Sequence, residues 1–283
     1  MMREKPYYSV RTGKHPLGGA LDLPTVLRVL SGTYERLEDE GYFQEALGFE
    51  CVDAGFIAGT AGKDLGGYVL FELRKTHLLP FRSKLQEYSE DDLFDVLEFL
   101  YEHVSKPTKR TYHSWDDCGW HCQEFDRSEG RAEFREKVNR VLRHYAVGFE
   151  LSVDGEILAL PDAGFEALMQ AALPSSDPEN IESRVEAARR RFRRRGASLD
   201  ERRDAIRDLA DVLEYLRPKL KRVVLVKDEA DIFNLANNFG VRHHNDMQKV
   251  KYDRAIWYSW LFYYYLATIH AVVRLIAKTG ERK

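Results

Sequence analysis

The chain has 283 residues, 44% hydrophobic and 31% charged, with a formal net charge of −3. That length allows one large or two modest domains with a real core, and the balance excludes wholesale disorder. No global charge draws the protein to nucleic acid, so any such attraction must come from a local patch.

In chain order, the charged N-terminal stretch lacks the apolar core of a signal peptide. A 3.6-residue pattern over 23–38 puts Val26, Val29, Leu30, Tyr34 and Leu37 on one side of a helix. A loop around Asp53-Ala54-Gly55 follows. The Gly-rich stretch 58–63 lacks both the G-x-x-x-x-G-K-[ST] frame and a preceding apolar strand, which excludes a nucleotide phosphate loop. Residues 65–75 read as a helix interrupted by Gly66-Gly67. Ser89 then caps a clear helix, with acidic residues in its first turn and Leu93, Val96, Leu97, Leu100 and Tyr101 on its apolar stripe.

Residues 108–129 read as a polar, aromatic loop. His113, Cys118, His121 and Cys122 stand within ten residues there, which raises zinc. His121 and Cys122 are adjacent, however, and no second Cys or His pair lies downstream. The expectation is a structured aromatic loop with no metal and no cofactor. Helix returns over 133–144. Strand patterns at 149–153 and 156–160 flank Asp154-Gly155, the pair favoured in a two-residue hairpin turn. A short helix over 162–173 leads to the linker candidate 174–178.

Beyond the linker the chain reads as helix. Ile181, Val185, Ala188 and Phe192 form one stripe, and Gly196 is placed to end it. Ser198 and Glu201 match a capping box opening the next helix, which Pro218 is expected to stop. A third helix is expected over 228–239 and a fourth, apolar nearly all round, over 253–278. The apolar run 255–269 falls short of the roughly 20 residues a bilayer needs, so no membrane span is expected. Three cysteines in a chain this long do not make a disulfide framework, and a reducing, cytoplasmic setting is the simpler reading.

Two constellations could carry chemistry. Arg242, His243 and His244 lie in a ten-residue polar junction with Asn237, Asn238 and Asn245. Imidazoles can act as acid and base near neutrality, and a guanidinium can fork onto a phosphate. The alternative is that these side chains cap helix ends. The second is the basic helix carrying Arg184, Arg189, Arg190, Arg191, Arg193, Arg194 and Arg195. It could track a phosphate backbone, or be neutralised by the acidic helix that follows.

The segments 95–97 and 134–160, with Asn139-Arg140-Val141-Leu142 and Asp154-Gly155, and the run from Arg184 to Arg217 leading to Phe239-Gly240-Val241-Arg242-His243, together resemble bacterial abortive-infection proteins of the AbiJ type. Those join a variable N-terminal domain to a helical domain related to HEPN ribonucleases. The resemblance implies a dimeric, metal-independent RNA endonuclease in which an Arg is followed four to six residues later by His. Here Asp246, Met247, Gln248 and Lys249 stand at that distance from Arg242. Either the chemistry has moved to His243 or His244, or the domain binds without cutting.

The resulting expectation is a mainly α protein with a mixed, mostly helical domain over 1–173 that includes a small β-hairpin. A HEPN-like helical bundle over 179–283 completes it. Arg242, His243 and His244 would be catalytic, and Arg189, Arg190, Arg193, Arg194, Asn238 and Asn245 would contact RNA. The protein would act in antiphage defence as a cytoplasmic homodimer joined through its last helix. The alternative is a non-catalytic module binding RNA, a phage component or a partner protein.

Overall fold

The computed structural model describes residues 7–14, 19–174, 177–221 and 253–280. The helix expected over 228–239 and the whole junction from Asn238 through Arg242, His243 and His244 to Asn245 lie outside the described residues. Helix makes up 61% of the structure, and strands among the described residues occur as two-stranded sheets, which bears out the mainly α class. The chain forms two compact units, Met1–Leu158 and Ala159–Lys283.

The first unit is built on three helices, α2 (Leu23–Asp39), α6 (Glu90–His103) and α7 (Arg127–Leu142). Short helices α1 (Tyr8–Arg11), α3 (Gln44–Leu47), α4 (Leu65–Leu73) and α5 (Phe81–Lys84) also belong to it. The N-terminal caps of all three long helices are local chemistry, Asp126 accepting the Glu129 N–H at 2.9 Å at the start of α7. Asp22 accepts the Thr25 N–H at 3.0 Å, and Ser89 with Asp92 forms a reciprocal capping box. Most of the stripes read from the sequence are buried: Val26, Leu30, Tyr34 and Leu37 from α2, Leu93, Val96 and Leu100 from α6, and Phe134, Val138 and Leu142 from α7, whereas Val29, expected on the α2 stripe, is exposed.

Three hairpins decorate this helical core. β1 (Phe49–Cys51) pairs with β2 (Gly55–Ile57), and β3 (Lys106–His113) pairs with β4 (Gly119–Asp126), both antiparallel. β5 (Phe149–Leu151) and β6 (Ile157–Ala159) form the hairpin expected around Asp154-Gly155. Gly155 has φ +91°, and a Cβ there would also meet the Tyr101 ring at 2.7 Å, so the turn needs glycine twice over. Asn139 of α7 holds β5 by both amide atoms, donating to Leu151 O at 2.9 Å and accepting from Leu151 N at 2.6 Å. The first two hairpins were not expected. The segment read as a polar loop over 108–129 is mostly the β3–β4 ladder, and α7 starts earlier than its apolar stripe suggests.

In the second unit, α8 (Glu166–Gln170), α9 (Ser183–Arg193) and α10 (Leu199–Leu220) gather around α11 (Arg254–Gly280). Met169 joins this core, so α8 packs here, upstream of the linker candidate. The Ser198–Glu201 capping box is present. Pro218 does not stop α10 at its own position but sits in its last turn, and the helix ends two residues later, at Leu220. The Phe192 and Phe262 rings stack at 4.0 Å, as do those of Phe165 and Tyr263. By length and composition, Arg254–Thr279 could cross a membrane, yet half of its most apolar window is buried in this unit.

Candidate metal centre

The β3–β4 ladder decides which side chains meet at its tip. Thr111 lies opposite His121 and His113 opposite Gly119, so the alternation of a strand puts His113 and His121 on the same face. Their rings meet edge to face at 5.0 Å. Between the strands, Asp116 and Asp117 both adopt left-handed φ, +46° and +50°, and Gly119 has φ +101°. This tight reversal brings Cys118 back over the ladder, with its Sγ 3.3 Å from His121 Nε2. The same alternation sends Cys122 to the opposite face. There its thiol lies against Gly41, where a Cβ would come within 2.4 Å of it.

The fourth group comes from a different hairpin. Cys51 ends β1 and is buried, and its Sγ lies 3.9 Å from His113 Nδ1 although 62 residues separate them in sequence. The ligand atoms of Cys51, His113, Cys118 and His121 all lie within 4.8 Å of one another. In a tetrahedral zinc site with the usual Zn–S and Zn–N bond lengths, neighbouring sulfur and nitrogen atoms sit roughly 3.5 Å apart. The 3.3 and 3.9 Å contacts bracket that spacing.

The surroundings fit the same reading. His113 Nε2 lies 3.1 Å from Asp53 Oδ2, in the turn that follows Cys51. A carboxylate on one imidazole nitrogen fixes the tautomer and leaves the other free to ligate, a recurring support for metal-bound histidine. Phe49 packs on the His121 ring at 4.7 Å. Gln44 docks the outer edge of β4 on α3, donating to Trp120 O at 2.7 Å and accepting from Cys122 N at 2.9 Å. Two thiols and two imidazoles, neutral or deprotonated as ligands, suit zinc better than a hard cation, and four protein ligands leave no open position for substrate. The arrangement can cross-link two hairpins; it is not shaped for catalysis.

Three of these four residues stand together in the sequence, where a loop without metal was the expectation. The adjacency of His121 and Cys122 counted against a metal, and Cys51 was out of view. A β reading of 106–126 would have separated His121 from Cys122 and left one ligand to be sought elsewhere.

The basic helix is largely engaged within its own unit. Arg189, expected to face RNA, is instead buried. It donates to Leu168 O at 3.3 Å, to Ala171 O at 3.0 Å and to His270 Nε2 at 3.3 Å. Arg193 donates to Ala159 O at 2.8 Å. Arg191 pairs with Asp208 at 2.5 Å, and Arg194 lies 3.7 Å from Glu201. Arg190 also has a partner in the chain. Neutralisation by the following acidic helix is thus what Arg191 and Arg194 display.

The chain matches no family model, no curated protein and no solved structure.

Proposed function

We propose that the first unit is a zinc-binding module in which Cys51, His113, Cys118 and His121 hold one structural Zn2+. The observation that carries this is the convergence of four ligand atoms from two hairpins within 4.8 Å. Metal analysis of the full chain, purified without a histidine tag, tests it. One zinc per chain is expected, falling well below that in Cys51→Ser and Cys118→Ser and staying near one in Cys122→Ser. Zinc-free protein that also fails to take up added zinc sinks the proposal.

For the whole chain we propose an RNA-directed antiphage effector of the abortive-infection type, with a HEPN-like second unit, acting in the cytoplasm as a homodimer joined through α11. Arg242 would stabilise a phosphate, and His243 or His244 would supply the acid–base function. Support comes from the Arg-His-His sequence between helical segments and from a second unit made of packed helices. Arg189 is not part of this reading, since its guanidinium is used in the core. The test is incubation of zinc-loaded protein with tRNA and total RNA in magnesium-free buffer, because a strong chelator would attack the first unit as well. Cleavage lost in Arg242→Ala is expected. Intact RNA at all protein concentrations ends the nuclease claim and leaves the non-catalytic binding module.

A further inference from the structure

A cavity of about 390 Å3 opens between α2 and α7 in the first unit, away from the cysteine and histidine cluster. Its end is set by a backbone pairing: Leu21, just ahead of α2, donates its N–H to His144 O, just beyond α7, at 2.6 Å. The two helices present three cations to this space, Arg36 from α2 and Lys137 and Arg140 from α7, and none of the lining residues is acidic. The rest of the wall is mostly aliphatic, with Val29, Val141 and Leu21. Val29 is 42% exposed on a helix whose Val26, Leu27, Leu30 and Leu37 are buried in the core.

The mundane reading is that Arg36 and Arg140 answer the C-terminal dipoles of their helices. It does not cover Lys137. Glu133, one turn back, feels the Lys137 charge, but both of its oxygens are already engaged, one by Lys106 Nζ at 2.7 Å and the other by the Tyr42 hydroxyl at 2.5 Å. Arg140 has a partner within the chain, so Arg36 and Lys137 are the cations a ligand would chiefly meet. Cations gathered in a concave space without acids attract a multiply charged anion, and a guanidinium suits phosphate geometry. The volume exceeds what inorganic phosphate fills and lies within the range of small-molecule sites, and the aliphatic wall requires an apolar body.

We propose that this cavity binds a phosphate monoester with an apolar or aromatic body, of mononucleotide size. The inference does not depend on the metal centre or on the nuclease reading. Calorimetric titration of the zinc-supplied full chain with adenosine monophosphate, adenosine and inorganic phosphate tests it. The monophosphate is expected to bind about tenfold or more tightly than either part alone. Arg36→Gln with Lys137→Gln should weaken it by at least about tenfold, and Val29→Glu, which puts a carboxylate at the mouth, should do the same. All three positions are at least partly exposed, so an unchanged melting curve verifies the fold of each variant. No saturable binding up to about 5 mM, or binding unaltered in both variants, overturns the proposal. Phosphate binding as tightly as the monophosphate removes the apolar body from it.

Discussion

The β3–β4 hairpin of the first unit and helix α11 of the second are both long and aromatic, yet they are held by opposite means. No residue of β3 or β4 is fully buried. On α11, Leu261, Phe262, Leu266 and Ile269 have no exposed surface at all. Burial of large apolar side chains can fix a helix inside a bundle at roughly 1.5–3 kcal/mol each. A hairpin that buries almost nothing has no such source, and an isolated two-stranded ribbon is marginal in water. The cysteine and histidine cluster sits at the tip of this hairpin, the end away from the start of α7. A metal can supply there what a core supplies elsewhere.

The comparison is most sharply tested by removing the metal. Chelation, or Cys118→Ser, should destabilise the first unit by an amount comparable with its whole folding free energy, about 5 kcal/mol or more. Hydrogen exchange read by mass spectrometry should show peptides over 106–126 losing protection while those over 254–280 keep theirs. Equal loss in both units would mean that the metal is not local to the hairpins.

The converse experiment is Phe262→Ala. Phe262 is fully buried and stacked on Phe192, so truncation should cost about 3–5 kcal/mol, visible as lost protection in α9–α11 with metal content unchanged. A cost below about 1 kcal/mol would show that this core is loosely packed.

A smaller effect separates the units by pH. His270 is buried, and its Nε2 accepts from Arg189, so the proton of the neutral ring sits on Nδ1. Burial, then the nearby Arg189 and Arg274, hold its pKa below the ordinary histidine value of 6.5. Below that value the unfolded chain takes up a proton that the folded unit resists. Stability of the second unit is therefore full above about pH 6.5 and declines as pH falls toward the lowered folded pKa. Denaturant melts of zinc-loaded protein, followed through exchange of α11 peptides, should show this slope, and His270→Gln should flatten it. An identical slope in the variant would assign the effect to other groups.

The smallest expected effects are the caps, one in each unit. Ser89→Ala and Ser198→Ala should each cost about 1 kcal/mol, confined to the unit that carries the substitution. A cost shared between units would argue that they fold together.

Among the described residues, the long helices were legible because their signals are local. Ser89 and Ser198 cap within three residues, the stripes at 23–38 and 89–101 repeat every turn, and Asp154-Gly155 announces its own turn. The β3–β4 ladder was not legible. Its strands run Lys-Pro-Thr-Lys-Arg-Thr-Tyr-His and Gly-Trp-His-Cys-Gln-Glu-Phe-Asp, with no apolar face to alternate against a polar one. Pro218 was read as a stop because its neighbours in sequence do not say how close the helix already is to its end. The inward turn of Arg189 was hidden for a related reason: the carbonyls and the imidazole that receive it come from 168–171 and 270.

Among the described residues, which of the longer stretches coil into helices, and where the capped ones begin, was determined by the sequence alone, since caps and periodicity act over one or two turns. Only the tertiary structure decided that Cys51, and not Cys122, completes the set with His113, Cys118 and His121. Strand alternation turns neighbouring residues to opposite faces, and helices α2 and α3 with the β1–β2 hairpin must be in place before a thiol 62 positions away can arrive.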